Sequence, residues 1–567
     1  MLMGVPLAAA HAADLSDLRS AIASAVARAD VPRCLEAPAP VPQAARPAPS
    51  CLRPGDLHGM QPSLQTIYRR RGDDPLWLDA RGPTRQALAL IAQLRAADAY
   101  GLRPEDYTSA AIDALAAPRP TPDEGMRGDR IARQARSDVG LSAAALRFVS
   151  DLHFGRVDPR QAGFQLDTPR RPFDLAAAVE GLAGAPDIGR ALASIEPQFY
   201  HYKLLEVALQ RYRELAAHAD LTDLPAPPGR SVKVGHAYAG APALRKLLAA
   251  VGDLPAASAA PPSDLTIDAS LAAAIARFQT RHGLAADGVL GKTTYAALAT
   301  PLAHRVRQIE LTLERWRWLP AFDTPPIIVN IPEFRLFAFR TTADRKASIL
   351  QMDVIVGKSY PRFQTPVFAA DMKYVVFRPY WDVPYSIMTH EMLPHIRANP
   401  GYLAQQRLEI VAGQTDAAQP VPPTPANLEA LVAGKLRMRQ QPGADNALGL
   451  IKFMFPNHYN VYLHSTPAHN LFKEPRRDFS HGCIRVSDPV GLAEQVLRNA
   501  SGDWTREKIE AAMNGGKTQR VNLTKPIRVM ILYGTVLAVE SGDVLFFDDI
   551  YGGDRKLEAL LGLEPVT

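Results

Sequence analysis

Apolar residues recur every three to four positions through much of the first half of the chain. From about Met60 to Leu224, segments such as 87–94 and 141–152 show this spacing, which predicts amphipathic helices. Short stretches containing Gly or Pro, such as 100–107 and 153–159, separate these segments as turns would. We therefore predict a mainly α-helical domain over residues 60–228.

A smaller helical unit is predicted at residues 229–301. Its strongest predicted helix ends just before Gly283, because glycine commonly occupies the position after the last turn of a helix. Asp287-Gly288 predicts a turn, and Thr293 or Thr294 is a candidate cap for the next helix. The Pro/Ala/Ser-rich insert from Pro255 to Pro262 predicts a flexible loop.

An amphipathic linker helix is predicted at residues 302–325, and its Trp316 and Trp318 are expected to cover a domain contact. After this helix the pattern of apolar residues changes to that of strands. Alternating or β-branched runs predict strands at 327–331, 334–339, 352–357, 460–464, 528–533 and 544–547. Residues 388–441 interrupt them with helical and loop-like sequence, including a loop at 420–425. We predict a mostly β domain over residues 326–567. The fold class is thus multidomain, with two α units before a β domain.

Length and charge agree with this division. A chain of 567 residues is too long for one hydrophobic core and should form about three or four domains. The formal net charge is +6, and the basic residues are scattered rather than clustered, apart from Arg69-Arg70-Arg71. This argues against nucleic-acid binding, whereas a mild basic balance suits an anionic polymer such as the cell wall.

The first 13 residues are typical of the end of a secretory signal. They contain a short apolar run and the small-x-small site Ala10-His11-Ala12, but no basic segment precedes them. A Pro/Ala-rich segment follows at 14–59. Its Cys34 and Cys51 are a candidate disulfide in an exported protein, and two unpaired thiols are the alternative. The sequence contains no run of 18 or more apolar residues, so no transmembrane helix is predicted.

The remaining cysteine, Cys483, lies in the sequence Ser-His-Gly-Cys at 480–483, and His464 precedes it. A cysteine acts as a nucleophile only as a thiolate, so it needs a nearby base or positive charge, which His464, His481 or Arg485 can supply. Gly482 allows a sharp turn that would bring backbone amides to a bound carbonyl. The alternatives are an inert cysteine and a zinc site, whose usual spacing is absent.

The segment 452–489 closely resembles the L,D-transpeptidase catalytic domain. The family signature is a histidine, a spacer, then Ser/Thr-His-Gly-Cys and a polar residue two positions later. The matching residues are His464, Ser480, His481, Gly482, Cys483 and Arg485. Residues 60–228 resemble the helical scaffold of the large periplasmic members, and 229–301 resembles the peptidoglycan-binding type-1 domain. That resemblance rests on Phe278-Gln279, Gly283-Leu284, Asp287-Gly288 and Gly291; a packing module that never touches the wall polymer is the alternative.

The resemblance implies a capping subdomain at about 388–441, inserted between strands of the catalytic sheet and able to act as a lid. It places the segment with Trp381 and Tyr385 near the active site, where they would line the substrate cleft or pack structurally. Alternation puts Tyr462 on the same strand face as His464. Tyr462 and Ser480 are further candidates for lining the cleft.

The resemblance also implies the chemistry. His464 would take the proton of Cys483, and the thiolate would attack a peptidoglycan tetrapeptide stem to form a thioester, which an amine of a second stem resolves into a 3-3 cross-link. The main-chain carbonyl of Ser465 would orient His464; large members are expected to have an acidic residue there. Amides of His481, Gly482 and Cys483 would hold the oxyanion, and Arg485 would bind a substrate carboxylate or carbonyl.

Other activities on the same fold remain open. They are an L,D-carboxypeptidase or amidase, attachment or release of a wall-linked lipoprotein, and a wall-binding protein with an inactive catalytic domain. The resemblance implies a periplasmic location, β-lactams of the carbapenem class as acylating inhibitors, and cell-wall synthesis proteins as candidate partners. It implies no metal, cofactor or nucleic acid.

Overall fold

The computed structural model of the 567-residue chain describes residues 7–27, 54–116, 127–166, 172–255, 265–341, 349–399, 401–564 and 566. Four hydrophobic clusters organise these residues: one in the N-terminal helices, one around residues 202–313, one in the large sheet and one in the inserted cap. No helix in these ranges is both long enough and apolar enough to cross a membrane. The predicted fold class is confirmed.

The N-terminal region is helical, as predicted. Its elements are α1 (Leu7–Ala27), α2 (Pro54–Arg70), β1 (Leu78–Asp79), β2 (Gly82–Pro83), α3 (Arg85–Arg95), α4 (Ala110–Ala116), α5 (Arg127–Phe154), β3 (Phe164–Gln165), α6 (Leu175–Gly184), α7 (Ile188–Ile195) and α8 (Tyr200–Ala216). Apolar spacing predicts helices only from Met60, but α1 already packs into the same core through Ile22 and Ala25. Cys34 and Cys51 lie outside the described residues.

The peptidoglycan-binding-like unit contains β4 (Ser231–Val232), α9 (Ala241–Ala250), α10 (Ala269–Arg281), β5 (Leu290–Gly291) and α11 (Lys292–Leu298). Helix α10 is followed by Gly283 at φ +63°, as the sequence predicts. The predicted threonine cap of α11 is wrong. Gly291 occupies the cap position, and Thr294 is buried and accepts a hydrogen bond from Gln279 Nε2 at 3.0 Å. Residues 256–262 of the insert lie outside the described residues.

Helix α12 (Leu302–Arg317) is a largely buried connector. Trp318 packs into the core of the large sheet, and Trp316 packs against the core that contains α10. Glu314 Oε1 accepts hydrogen bonds from the backbone amides of Arg156 and Val157, at 2.5 and 3.0 Å. The other carboxylate oxygen of Glu314 pairs with buried Arg317. One carboxylate thus joins the scaffold to the central helix.

The C-terminal region combines a closed sheet with an inserted cap. Its elements are β6 (Ile327–Asn330), β7 (Arg335–Ala338), β8 (Leu350–Gly357), β9 (Val367–Phe377), β10 (Trp381–Asp382), α13 (Tyr385–Ile387), α14 (Leu393–Ala398), α15 (Tyr402–Gln405), β11 (Leu408–Val411), β12 (Pro420–Val421), α16 (Pro425–Val432), β13 (Arg437–Gln440), β14 (Ile451–Met454), β15 (Leu463–His464), β16 (Asp478–Ser480), β17 (Ile484–Val486), α17 (Pro489–Leu497), α18 (Arg506–Asn514), β18 (Gln519–Leu532), β19 (Val536–Ala538), β20 (Val544–Phe546) and α19 (Gly553–Leu560).

The large sheet runs in the order β14-β15-β17-β8-β7-β6-β18-β9-β3, and β14 also pairs with β9, which closes the sheet. The cap leaves after β9 and returns before β14, two strands that are antiparallel neighbours. Its own sheet has the order β10-β13-β11-β12. Because β10 belongs to this sheet, the cap begins at Trp381 rather than at residue 388. Pro420 and Val421, which were predicted to form a loop, form the edge strand β12.

The strand prediction at 544–547 implies a further strand of the catalytic sheet. The hairpin of β19 and β20 does not join that sheet. The two strands pair only with each other, and Val536, Val544 and Phe546 pack in the core shared with α10 and α12. The end of the chain therefore ties the catalytic domain to the peptidoglycan-binding-like unit.

We predict that Glu314→Ala lowers the free energy of unfolding by about 3–5 kcal/mol, because it removes the anion that pairs with buried Arg317 and leaves the amides of Arg156 and Val157 without their acceptor. The measurement is urea unfolding followed by circular dichroism. The control is Asp220→Ala, which removes an ion pair with Lys246 in which both side chains are more than half exposed and should change stability by less than about 1 kcal/mol. Equal effects of the two substitutions would contradict the role of Glu314.

Candidate active site

Strand pairing aligns three side chains close to Cys483. On β14 and β15, Lys452 pairs with His464; on β15 and β17, His464 pairs with Arg485. Residues that pair directly across neighbouring strands lie on the same face of a sheet. Lys452, His464 and Arg485 therefore form a row across three strands, and Cys483 lies directly before the third strand.

Hydrogen bonds hold the loop that carries Cys483. Gly482 has φ +116°, a value that favours glycine. Its carbonyl accepts a hydrogen bond from Thr365 Oγ1 at 2.8 Å, and its amide donates to Ser480 Oγ at 3.1 Å. Ser480 Oγ in turn donates to the carbonyl of Cys483 at 2.5 Å. Cys483 thus sits on a turn whose shape is set by the side chains of Thr365 and Ser480.

Burial keeps the Cys483 thiol neutral. The thiol donates to the carbonyl of Asn460 at 3.7 Å, and Asn460 has the left-handed φ of +55°, which asparagine tolerates. Burial raises the thiol pKa, while hydrogen bonds from the backbone and side chain of Tyr462 and the charge of Lys452 oppose the rise. These groups would stabilise a thiolate once it forms.

His464 is held as a neutral base. Its Nδ1 lies 2.5 Å from the carbonyl oxygen of Ser465. A carbonyl only accepts, so Nδ1 carries the proton and Nε2 keeps its lone pair. Burial, followed by the charge of Arg485, lowers the pKa of His464 to about 3. In the described interactions no hydrogen bond joins His464 to Cys483, whose thiol is directed to Asn460.

Lys452 lies beside Cys483, although no sequence motif indicates it as a site residue. Its ammonium lies 3.8 Å from the ring centroid of Tyr462, a cation–π contact. Burial lowers the pKa of Lys452, whereas a thiolate at Cys483 and the carboxylates of Asp382 and Asp416 would raise it. Only the register of β14 against β15 brings Lys452 opposite His464, and no sequence signal near the cysteine indicates that register.

Arg485 has an unused donor. Its Nε is buried and has no hydrogen-bond acceptor among the described residues. Burial lowers the pKa of Arg485, whereas a thiolate at Cys483 would raise it. The guanidinium is therefore placed to bind a carbonyl or carboxylate that approaches the thiol.

Several predicted site residues have other positions. Ser480 is buried and bonds within its own loop, so the prediction that it lines the cleft is wrong. Gly482 does not offer a free amide for an oxyanion, because that amide is bonded to Ser480. Trp381 packs against the cap core, and Tyr385 is 56% exposed and donates to the carbonyl of Val432 within the cap.

His481 links the catalytic loop to the cap instead of facing the thiol. Its Nε2 lies 2.8 Å from Glu391 Oε1 in the π-helical turn Met388–Met392 of the cap. Its ring also meets the edge of Phe363, with centroids 4.6 Å apart. No group of three or more His, Cys, Asp or Glu side chains in the described ranges is arranged to hold a metal ion.

Comparisons with known proteins agree with this architecture. Three domain families match: "Scaffold domain" at residues 62–209, "Putative peptidoglycan binding domain" at 240–298 and "L,D-transpeptidase catalytic domain" at 325–518. The Haemophilus influenzae protein "Putative L,D-transpeptidase" is 30% identical over 251 residues, which is 44% of this chain. The match spans 49%, about half, of that relative's length. The chain therefore carries an L,D-transpeptidase catalytic domain together with a scaffold domain and a peptidoglycan-binding domain.

Proposed function

We propose that this protein is a periplasmic L,D-transpeptidase that forms 3-3 peptidoglycan cross-links through a thioester on Cys483. The observation that carries the proposal is the row of Lys452, His464 and Arg485 beside Cys483. It supplies a neutral base, two cations near the sulfur and an unused guanidinium donor. The signal-like residues 1–13 support export.

Acylation begins with movement of the thiol from the Asn460 carbonyl toward His464. Nε2 of His464 takes the proton, and the sulfur attacks the carbonyl carbon of the third stem residue. The amides of His481 and Cys483 and the hydroxyl of Tyr462 are the candidate donors to the oxyanion. Collapse of the tetrahedral species breaks the bond to the terminal D-alanine, whose amine leaves with the proton from His464.

Deacylation uses the same groups in reverse. An amine from the third residue of a neighbouring stem attacks the thioester carbon and gives a proton to His464. The carbon–sulfur bond breaks, the new amide forms and the departing cysteine sulfur takes the proton from His464. Arg485 Nε is free to hold the carbonyl or a stem carboxylate during both steps.

The cap favours the amine over water as acceptor. Its Glu391 bonds to His481 directly beside the nucleophile, and the charges of its Asp382 and Asp416 act on Lys452. A lid in this position excludes bulk water from the thioester. Carboxypeptidase activity and lipoprotein attachment differ from cross-linking only in the acceptor.

Mass spectrometry of products tests the function. We expect the wild-type protein to convert purified disaccharide-tetrapeptide into dimers joined through their third residues, and Cys483→Ala to form none. Tripeptide without dimers would show a hydrolase instead. A wild-type protein that forms no product and gains no mass from a carbapenem would contradict the catalytic proposal.

The pH dependence of acylation tests the state of His464. With a pKa of about 3, the imidazole is neutral at any higher pH, and the raised pKa of Cys483 keeps the thiol protonated. The rate constant for acylation by a carbapenem should therefore be nearly constant from about pH 5 to about pH 8. A rise with a midpoint near about pH 6.5 would show an ordinary histidine and contradict this state.

Removing the charge of Lys452 should raise the thiol pKa further. Alkylation of Cys483 by iodoacetamide at a fixed pH near about 8 should be about 3- to 10-fold slower in Lys452→Met, since a tenfold loss of thiolate corresponds to one pKa unit. Lys373→Met is the control, because Lys373 is exposed on β9. Unchanged alkylation in Lys452→Met would exclude an effect of Lys452 on the thiol.

A further inference from the structure

Lys452 presents an ammonium beside Cys483 that has no anionic partner. Among the described residues its Nζ has no hydrogen-bond acceptor and forms no ion pair, and its contact is with the ring of Tyr462. Lys452 is half-buried, and its Nζ, unlike Nε of Arg485, is not fully enclosed by the protein. An anion that approaches the thiol can therefore reach this ammonium.

The resting site supplies no counter-anion for Lys452. The thiol of Cys483 is neutral, because burial raises its pKa. The cap carboxylates of Asp382 and Asp416 act on Lys452 through their charge alone, without a hydrogen bond, and Asp382 is itself paired with Arg437. Because a half-buried cation without a partner is unfavourable, Lys452 is suited to bind an anion of the substrate.

The register of the sheet relates this ammonium to the leaving group. Lys452 is the direct neighbour of His464 on one face of the sheet, and neighbouring strands are about 4.8 Å apart. The amine that leaves during acylation must lie within hydrogen-bond reach of His464 Nε2, because it takes its proton from there. In a tetrapeptide stem this amine belongs to the terminal D-alanine, and a single carbon atom joins it to the free carboxylate. The carboxylate therefore comes close to Lys452.

The position of that carboxylate is a basis for selecting the donor. A stem that ends in two D-alanines would carry its carboxylate up to about 3.6 Å further from the bond that breaks. A stem whose terminal carboxylate is converted to an amide would carry no charge there. Both would forgo the charge-assisted hydrogen bond of a correctly placed carboxylate.

We propose that Lys452 determines donor specificity by binding the free carboxylate of the single residue that leaves when Cys483 is acylated. The inference rests on the proposed function for the reaction and adds the residue that recognises the leaving group. This role is distinct from the effect of Lys452 on the thiolate, which acts on every donor equally.

The test compares two donors, which are disaccharide-tetrapeptide and the same compound with its terminal carboxylate converted to a primary amide. Mass spectrometry gives kcat/KM for release of D-alanine or D-alaninamide, which reports acylation whether an amine or water completes the reaction. The proteins are the full wild-type chain, Lys452→Met, Lys452→Arg and the control Lys373→Met at the exposed position of β9. Lys452→Met keeps a long side chain without its charge, and Lys452→Arg keeps the cation.

We expect the wild-type protein and Lys373→Met to prefer the carboxylate donor by at least about tenfold, as one charge-assisted hydrogen bond would produce. The two donors should react at similar rates in Lys452→Met, and Lys452→Arg should retain most of the preference. A smaller thiolate fraction in Lys452→Met slows both donors by the same factor and leaves their ratio unchanged. A ratio in Lys452→Met equal to that of the wild-type protein would therefore overturn the inference.

Acylation by a carbapenem, measured on the same proteins, reports the catalytic function separately. A wild-type protein that is acylated and releases both leaving groups at equal rates would contradict the role of Lys452 alone. A wild-type protein that is not acylated and releases neither group would contradict the proposed function, and the inference with it.

Discussion

The two-residue strand β15 is the constraint on which the active site depends. It is held between β14 and β17, and its pairing fixes which side chains stand beside the thiol. Side chains alternate along a strand, so a slip of one residue would exchange His464 with Leu463, which is fully buried in the core. The packing of Leu463 in the sheet core therefore keeps His464 on the face of the sheet that carries Lys452 and Arg485.

Electrostatics then sets the resting state. Burial opposes charge on both the thiol and the imidazole, while Lys452 and Arg485 favour a thiolate and disfavour an imidazolium. Ser465 contributes only a carbonyl to His464, so no carboxylate stabilises a charged ring. The pair is thus neutral until substrate arrives, and the cations act on the sulfur when its proton leaves.

Local chemistry in the sequence predicted much of this arrangement. The Ser-His-Gly-Cys segment, the glycine after α10 and the alternation that puts Tyr462 and His464 on one face all depend on neighbouring residues, and all are present. Long-range features were not predictable. Lys452 reaches the site through strand register, Ser480 turns inward because it bonds the loop, and the β19–β20 hairpin leaves the catalytic sheet to pack on α12.

The surroundings of Arg315 were also not predictable from the sequence. Its place in α12 is predictable from apolar spacing, but its ion pair with Asp554 of α19 depends on how segments far apart in the sequence meet. The central helix thus joins the scaffold through Glu314 and the last helix of the chain through the ion pair of Arg315 with Asp554.

The most direct test is a measurement of the thiol pKa of Cys483 from the ultraviolet absorbance of its thiolate. The absorbance of Cys483→Ala is subtracted from that of the wild-type protein at each pH, which removes the contribution of Cys34 and Cys51. We expect a thiol that stays protonated at neutral pH and titrates above the ordinary cysteine value of about 8.5. A thiolate already present at about pH 7, paired with a protonated histidine, would contradict it.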